Sequence, residues 1–137
     1  NVMMYPDYGV RLYGNTIIAS ETMVKQKPEA IKGFLRAFAK ASRDVMANPE
    51  AAIKVLKERD GLIDDKLELR RLKLAIASAI ATPHAKSEGY GQVYGPRLTL
   101  MASQVSDAYG TKTRVNADKI WNGSFLPAKA ELDVFPK

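Results

Sequence analysis

The chain has 137 residues, of which 46% are hydrophobic and 26% charged, a size and composition typical of one ordinary folded domain. It contains no cysteine and a single histidine, which excludes disulfides, zinc–thiolate sites, cysteine nucleophiles and histidine-rich metal sites. The net charge of +6 is compatible with a nucleic acid or an anionic surface as partner, and equally with simple solubility.

Membrane and export signals are missing from the sequence. Apolar runs are only a few residues long, as at residues 16–19, whereas crossing a bilayer takes roughly 18. The first residues do not show a basic stretch followed by an apolar one. We therefore expect no membrane span, and no signal peptide remains in this sequence, which leaves a processed or truncated start open.

The first twenty residues differ in character from the rest. Aromatic residues, two glycines and a proline lie between positions 5 and 14, and apolar and polar side chains alternate over residues 10–13. An apolar stretch follows at residues 15–19. This pattern predicts a turn, an extended segment and a buried strand, and so one or two N-terminal strands in a mainly α protein.

From Ser20 onward, capping signals predict helices. A short helix runs from Ser20 to about Gln26. Pro28 and Glu29 suit the first turn of a long helix, because the missing N–H is not needed there and a carboxylate favours the positive end of the helix dipole. Its apolar stripe consists of residues at helical spacing: Ile31, Phe34, Leu35, Phe38, Ala41 and Val45.

Three further helices follow in the prediction, with a short last one. Asn48 caps a helix that ends at residues 60–61, and Asp64 begins one that stops at residues 82–83. Residues 84–95 are predicted as a loop, after which Pro96 opens a helix that Gly110 caps. Asn116 caps the last, short helix. The aromatic residues of segment 125–135 are expected to dock that tail.

One face of the long helix is basic. It carries four cations three or four residues apart: Lys32, Arg36, Lys40 and Arg43. Such a ridge could bind phosphates, but no aromatic or amide side chains that could read bases lie among the charges. A solvated face is therefore favoured, and a small basic helical domain that binds nucleic acid is the alternative function.

No residue pattern indicates catalysis. The glycines around Tyr90 do not follow a strand, as a dinucleotide-binding loop would require. His84 has neither a serine in a nucleophile-elbow context nor a nearby carboxylate besides Glu88, and we interpret it as an exposed loop histidine. We predict no catalytic residue, no cofactor and no metal site, and hence a protein that is not an enzyme.

The aromatic opening segment is a better candidate for ligand contact. Tyrosine rings offer stacking surfaces, and polar groups close to them can converge on a small molecule. The segment combines Tyr5, Tyr8 and Tyr13 with Asp7, Gly9 and Asn15. From these residues alone, ligand contact and ordinary packing of a hinge or edge strand are equally supported.

Five short segments stand in an order that can be recognised. They are residues 7–15 (DYGVRLYGN), 17–21 (IIASE), 27–38 (KPEAIKGFLRAF), 48–52 (NPEAA) and 125–127 (FLP). In this order they resemble the C-terminal part of ABC-transporter substrate-binding proteins. The nearest group serves pyrimidine thiamine precursors, taurine, alkanesulfonates and nitrate.

The resemblance implies a two-lobed, cleft-closing binder of type II that is not an enzyme. Residues 1–15 would form the hinge and cleft wall, and residues 16–137 the C-terminal helical part of lobe 1. The ligand contacts would be Asp7, Tyr8, Gly9 and Asn15, with Tyr5 as a weaker candidate. The partners would be a small polar solute and the permease subunits. The protein would be periplasmic or otherwise extracytoplasmic, with a lipid anchor in a Gram-positive cell. Nucleic acid is not expected.

Family members are considerably longer than this chain and have two α/β lobes. The chain offers too few strands for even one parallel sheet. We therefore interpret it as the C-terminal portion of a type II α/β lobe. Apolar faces that the rest of the lobe would cover should be exposed. We expect them to be covered by the missing N-terminal lobes or by a second copy of the chain.

Overall fold

The computed structural model describes residues 3–136. Of these residues 65% are helical, and none belongs to a β-strand. The mainly α class predicted from the sequence is confirmed, whereas the one or two N-terminal strands are not formed.

Six α-helices and several single turns of 3-10 helix make up the described range. The α-helices are α1 (Glu21–Gln26), α2 (Pro28–Ala47), α3 (Pro49–Arg59), α4 (Asp65–Ala75), α5 (Pro83–Glu88) and α6 (Gly95–Tyr109). A π-helical turn, Ile76–Ile80, continues α4. The 3-10 turns are Tyr5–Tyr8, Ala117–Lys119, Gly123–Phe125 and Lys129–Glu131. Within residues 3–136, no helix has the length and apolar character needed to span a membrane.

Residues 10–20 form irregular chain without a helix or strand, which corrects the strand prediction. A strand needs a neighbouring backbone to satisfy its N–H and C=O groups. At residues 11–13, side chains of α6 bond to the backbone instead: the Tyr13 N–H donates to the Met101 sulfur, and Arg97 donates to the carbonyls of Arg11 and Leu12. The predicted buried strand is moreover exposed, with Ile18 87% accessible.

The capping predictions are confirmed at most helix starts. Asn48 Oδ1 accepts the Ala51 N–H at 3.0 Å, and Asp64 Oδ1 accepts the Leu67 N–H at the same distance. Asn116 likewise caps its 3-10 turn. These signals act within one helical turn, so they are visible in the sequence.

The predicted loop at residues 84–95 is wrong in its first part, because residues 83–88 form α5. Thr82 Oγ1 accepts the Ala85 N–H at 3.2 Å, and Pro83 lies in the first turn. The pair at 82–83 therefore ends one helix and begins the next. His84 is half-buried in α5, which corrects its interpretation as an exposed loop residue.

The described residues divide into two compact units. The first unit consists of the described residues up to Ser20 together with Val93–Ser124. The second unit consists of Glu21–Gln92 and the described residues from Phe125 onward.

The core of the second unit is built by α2 and the C-terminal tail. Ala39 and Met46 of α2 pack with Leu132 and Val134, and the two tail residues are the most completely buried large side chains of the described range. Partly buried apolar residues surround this cluster: Ile76, Ile80, Tyr90, Leu126 and Phe135. Docking of the tail was predicted, but through its aromatic residues and not through Leu132 and Val134.

The buried face of α2 is narrower than its predicted apolar stripe. Ile31 is buried, and Leu35 and Val45 are half-buried. Phe34 and Phe38, however, are 56% and 42% accessible. Apolar spacing identifies which side of a helix can be covered, and here the described residues cover only part of that side.

Ion pairs connect both ends of the neighbouring helices α3 and α4. Glu50 in the first turn of α3 lies 2.7 Å from Lys73 in the last turn of α4. At the other end Lys57 lies 2.7 Å from Asp65. Each charge also has the sign that its helix end favours, since carboxylates stabilise helix N-termini and ammonium groups C-termini.

Candidate ligand-binding segment

The opening turn is formed by Pro6 and Gly9. Pro6 lies at the start of the 3-10 helix Tyr5–Tyr8, where its fixed φ is suitable. Gly9 then adopts φ +83°, a left-handed conformation that other residues rarely take. The Gly9 N–H donates to the Pro6 carbonyl at 3.2 Å, and the Val10 N–H donates to the Tyr5 carbonyl at 3.1 Å. The chain therefore reverses direction immediately after the tyrosines.

This turn places four of the five predicted contact residues together. Tyr5, Asp7 and Tyr8 lie within the single 3-10 turn, and Gly9 ends it. All four are exposed, the two tyrosines to 76% and 67%. Asn15 is also exposed but lies beyond the turn in the irregular chain. The turn thus exposes one carboxylate and two phenol side chains.

Arg97 of α6 holds the chain that follows the turn. Its Nε donates to the Arg11 carbonyl at 3.0 Å, and a terminal nitrogen donates to the Leu12 carbonyl at 2.6 Å. The guanidinium also lies over the Tyr13 ring, 4.5 Å from the ring centre. Hydrogen bonds from a charged donor are stronger than neutral ones, and the cation–π contact adds to them.

Tyr13 is the second anchor of the opening segment. Its hydroxyl oxygen accepts the Tyr94 N–H at 2.7 Å, and its own N–H lies 3.3 Å from the Met101 sulfur. The side chain is half-buried, unlike Tyr5 and Tyr8. Packing is therefore the role of Tyr13, whereas the two earlier tyrosines remain available for contact.

Sequence reasoning missed Arg97 and Met101 as parts of this site. The bonds that they make to the opening segment join residues 85 to 88 positions apart. No local pattern marks such a contact, because an arginine in the first turn of an amphipathic helix is usual on a solvated face. Only the packing of α6 against the opening segment reveals it.

The first unit also contains an open groove of about 810 Å³. Apolar residues of α6 and the Trp121 ring form most of its lining, including Leu98 and Leu100. Polar groups enter it only at a few points, among them Ser103 and Asp118. The groove has the size of a small-molecule site.

The basic ridge of α2 is largely engaged by the protein itself. Lys32 pairs with Glu29 at 2.8 Å, and Arg36 pairs with Glu131 at 3.3 Å. Arg43 donates to main-chain carbonyls of the tail, including that of residue 133 at 3.1 Å. Two of the four ridge cations therefore hold the C-terminal tail on α2.

Within residues 3–136, no three His, Cys, Asp or Glu side chains lie close enough together to hold a metal ion. His84, the single histidine of the sequence, lies in α5 of the second unit.

Comparison with known protein families gives a match over the first part of the chain. Residues 1–52 match the family model described as NMT1/THI5 like, a match that covers the opening turn, α1 and α2. No curated protein and no solved structure matches the chain. At a coarse level the family match supports the resemblance to ABC-transporter substrate-binding proteins. The first 52 residues of this chain are thus similar to NMT1/THI5-like proteins.

Proposed function

We propose that this chain is part of the solute-binding component of an ABC importer, and that its opening turn contacts the solute. The main observation in support is that the exposed turn and its polar groups lie inside the matched residues 1–52. Arg97 and Tyr13 hold the adjoining chain in place. A binding segment that is already held in its bound conformation loses less conformational entropy when the solute binds.

The chemistry of the turn favours a small, flat solute that donates hydrogen bonds. Tyr5 and Tyr8 offer ring faces, and the Asp7 carboxylate only accepts hydrogen bonds when ionised. Asp7 repels an anion placed beside it. Among the solutes of the group that the chain resembles, we therefore expect a pyrimidine to bind better than a sulfonate or nitrate, with Gly9 and Asn15 as further contacts.

The remaining proposals follow from the same family match. The protein would act outside the cytoplasm, in a periplasm or held at the surface by a lipid anchor. It would release its solute to permease subunits without changing it chemically. Members of the binding-protein family are generally not enzymes, and we propose the same for this chain.

A titration followed by the chain's amide NMR signals tests this function. The probes are an aminopyrimidine thiamine precursor, taurine and nitrate, each added to the full chain. We expect saturable shifts at residues 5–15 with the pyrimidine at millimolar concentrations, since one wall of a cleft makes few contacts. Absence of shifts in residues 5–15 with all three probes would contradict the proposal.

Two variants and a matched control identify the contacts. We expect Asp7→Asn and Tyr8→Ala each to weaken pyrimidine binding about tenfold, as loss of a charged hydrogen bond or a ring contact does. Tyr109→Ala is the control, because Tyr109 is as exposed as Tyr5 but lies at the end of α6. Equal affinities for Tyr8→Ala and Tyr109→Ala would refute the role of Tyr8.

Arg97 is expected to act through the opening segment without touching the solute. Arg97→Ala removes both carbonyl bonds, so the Tyr13 amide should exchange with solvent faster and pyrimidine binding should weaken several-fold. Arg97→Lys keeps the charge but loses the paired donors and should show most of both effects. Weaker binding without faster exchange at Tyr13 would contradict this positioning role.

A further inference from the structure

The sequence contains one asparagine that is followed by glycine, Asn122. The others are followed by valine, threonine, proline or alanine. A backbone nitrogen attacks the preceding asparagine side chain most easily when it belongs to glycine, because no Cβ hinders the approach. Asn122 is exposed, so water reaches the side chain.

In the structure, two hydrogen-bond donors point at the side-chain oxygen of Asn122, on which negative charge would develop during this attack. Asn122 Oδ1 accepts the Ser124 N–H at 3.0 Å and the Ser124 hydroxyl at 2.7 Å. Attack on the side-chain carbon places negative charge on this oxygen. Donors already in position at a developing oxyanion lower the barrier of acyl transfer in enzymes, and the same physics applies to this turn.

We propose that Asn122 is a site of spontaneous deamidation that Ser124 assists. The Gly123 nitrogen forms a bond to Asn122 Cγ and loses its proton to water. Nδ2 takes up a proton from water, the bond from Cγ to Nδ2 breaks, and ammonia leaves. Water opens the resulting cyclic imide at one of its two carbonyls, giving aspartate or isoaspartate at position 122. The reaction consumes water and requires neither oxidant nor reductant.

The products change the surroundings of Trp121. Gly123 packs so closely on this side chain that a Cβ at position 123 would lie 3.2 Å from Trp121 Nε1. Isoaspartate lengthens the main chain next to that contact, and either product brings a new negative charge to the turn. Since Trp121 lines the groove of the first unit, deamidation alters this groove.

Peptide mapping by mass spectrometry of the full chain, aged in mildly alkaline buffer, measures the reaction. A mass rise of about one dalton should accumulate on the peptide containing Asn122 before those containing Asn15 and Asn116. Ser124→Ala should slow the reaction about two- to tenfold, the effect of one lost hydrogen bond. Ser124→Thr keeps the hydroxyl and should react at nearly the original rate.

The same variants in urea separate the folded turn from the local sequence. In urea, the unsubstituted protein and the Ser124→Ala variant should deamidate at similar rates, because unfolding breaks the 2.7 Å hydrogen bond between Ser124 and Asn122. The proposal is overturned if Asn122 is no faster than Asn15 in the folded chain. It is also overturned if Ser124→Ala does not slow deamidation of Asn122 in the folded protein, or if it slows deamidation equally in the folded and the unfolded protein.

Discussion

Gly89 is a single residue on which the contact between the middle of the chain and the C-terminal tail depends. Its φ of +111° lies where side chains are rarely tolerated, and a Cβ there would lie 2.9 Å from the Leu132 Cβ. The next residue, Tyr90, donates its N–H to the Leu132 carbonyl at 2.9 Å. The glycine thus lets the backbone come close enough to fix the buried tail.

We predict that Gly89→Ala destabilises the protein by about 2–4 kcal/mol, from backbone strain and from forced repacking against Leu132. Urea unfolding measures this change. The matched control is Gly33→Ala in α2, where a Cβ meets nothing within 4 Å. That variant should stabilise the protein by roughly 0.5–1 kcal/mol, because glycine is unfavourable inside a helix. Equal stabilities of the two variants would show that Leu132 does not restrict position 89.

At the scale of elements, the ion pair between α3 and α4 makes stability depend on pH. The Lys73 ammonium, which donates to the Glu50 carboxylate at 2.7 Å, is the main cause that lowers the pKa of Glu50 below its usual 4.5. A lowered pKa in the folded state means that the unfolded chain binds the proton more tightly. The contribution of this pair is therefore complete above pH 4.5 and is lost as the pH falls through the folded pKa.

We predict that Glu50→Gln flattens the loss of stability below pH 4.5. The amide still accepts a hydrogen bond from Lys73 but does not titrate, so the pair no longer responds to acid. Urea midpoints at neutral and acidic pH measure the effect, which should be small because the pair is exposed. Glu58→Gln, at an exposed position of the same helix, is the control. Equal pH slopes for the two variants would contradict the prediction.

At the scale of the whole molecule, α2 has an apolar face that the described residues leave exposed. Phe34 and Phe38 stack at 6.2 Å between ring centres, and Phe38 stacks on Tyr90 at 6.3 Å. Ala37 and Ala41 on the same side of the helix are exposed as well. A contiguous face of this kind usually marks an interface.

We predict that this face is covered by a second copy when the chain is alone, or by the N-terminal lobes of a binding protein when these are present. Light scattering over a range of concentrations should show a dimer. Replacement of Phe34 and Phe38 by serine should shift the chain to a monomer, whereas Leu62→Ser, at a residue 96% accessible, should not. A monomer that is well folded and melts cooperatively would contradict self-association.

Most of the helices and their caps could be predicted from the sequence, because they depend on contacts within one turn, although α5 was missed. Asn48 and Asp64 cap the helices as predicted, and the turn at Gly9 follows from its glycine and proline. The sequence also placed the candidate ligand contacts in the opening segment, where they remain a prediction.

The contacts between parts of each unit that are remote in sequence became visible only in the folded chain. Arg97 holds a segment more than eighty positions away, and Arg43 binds the tail across a similar separation. The predicted strands do not form, and at residues 11–13 the side chains of Arg97 and Met101 bond to backbone groups that a neighbouring strand would otherwise have paired. Such contacts depend on which surfaces pack together, and local periodicity contains no information about that choice.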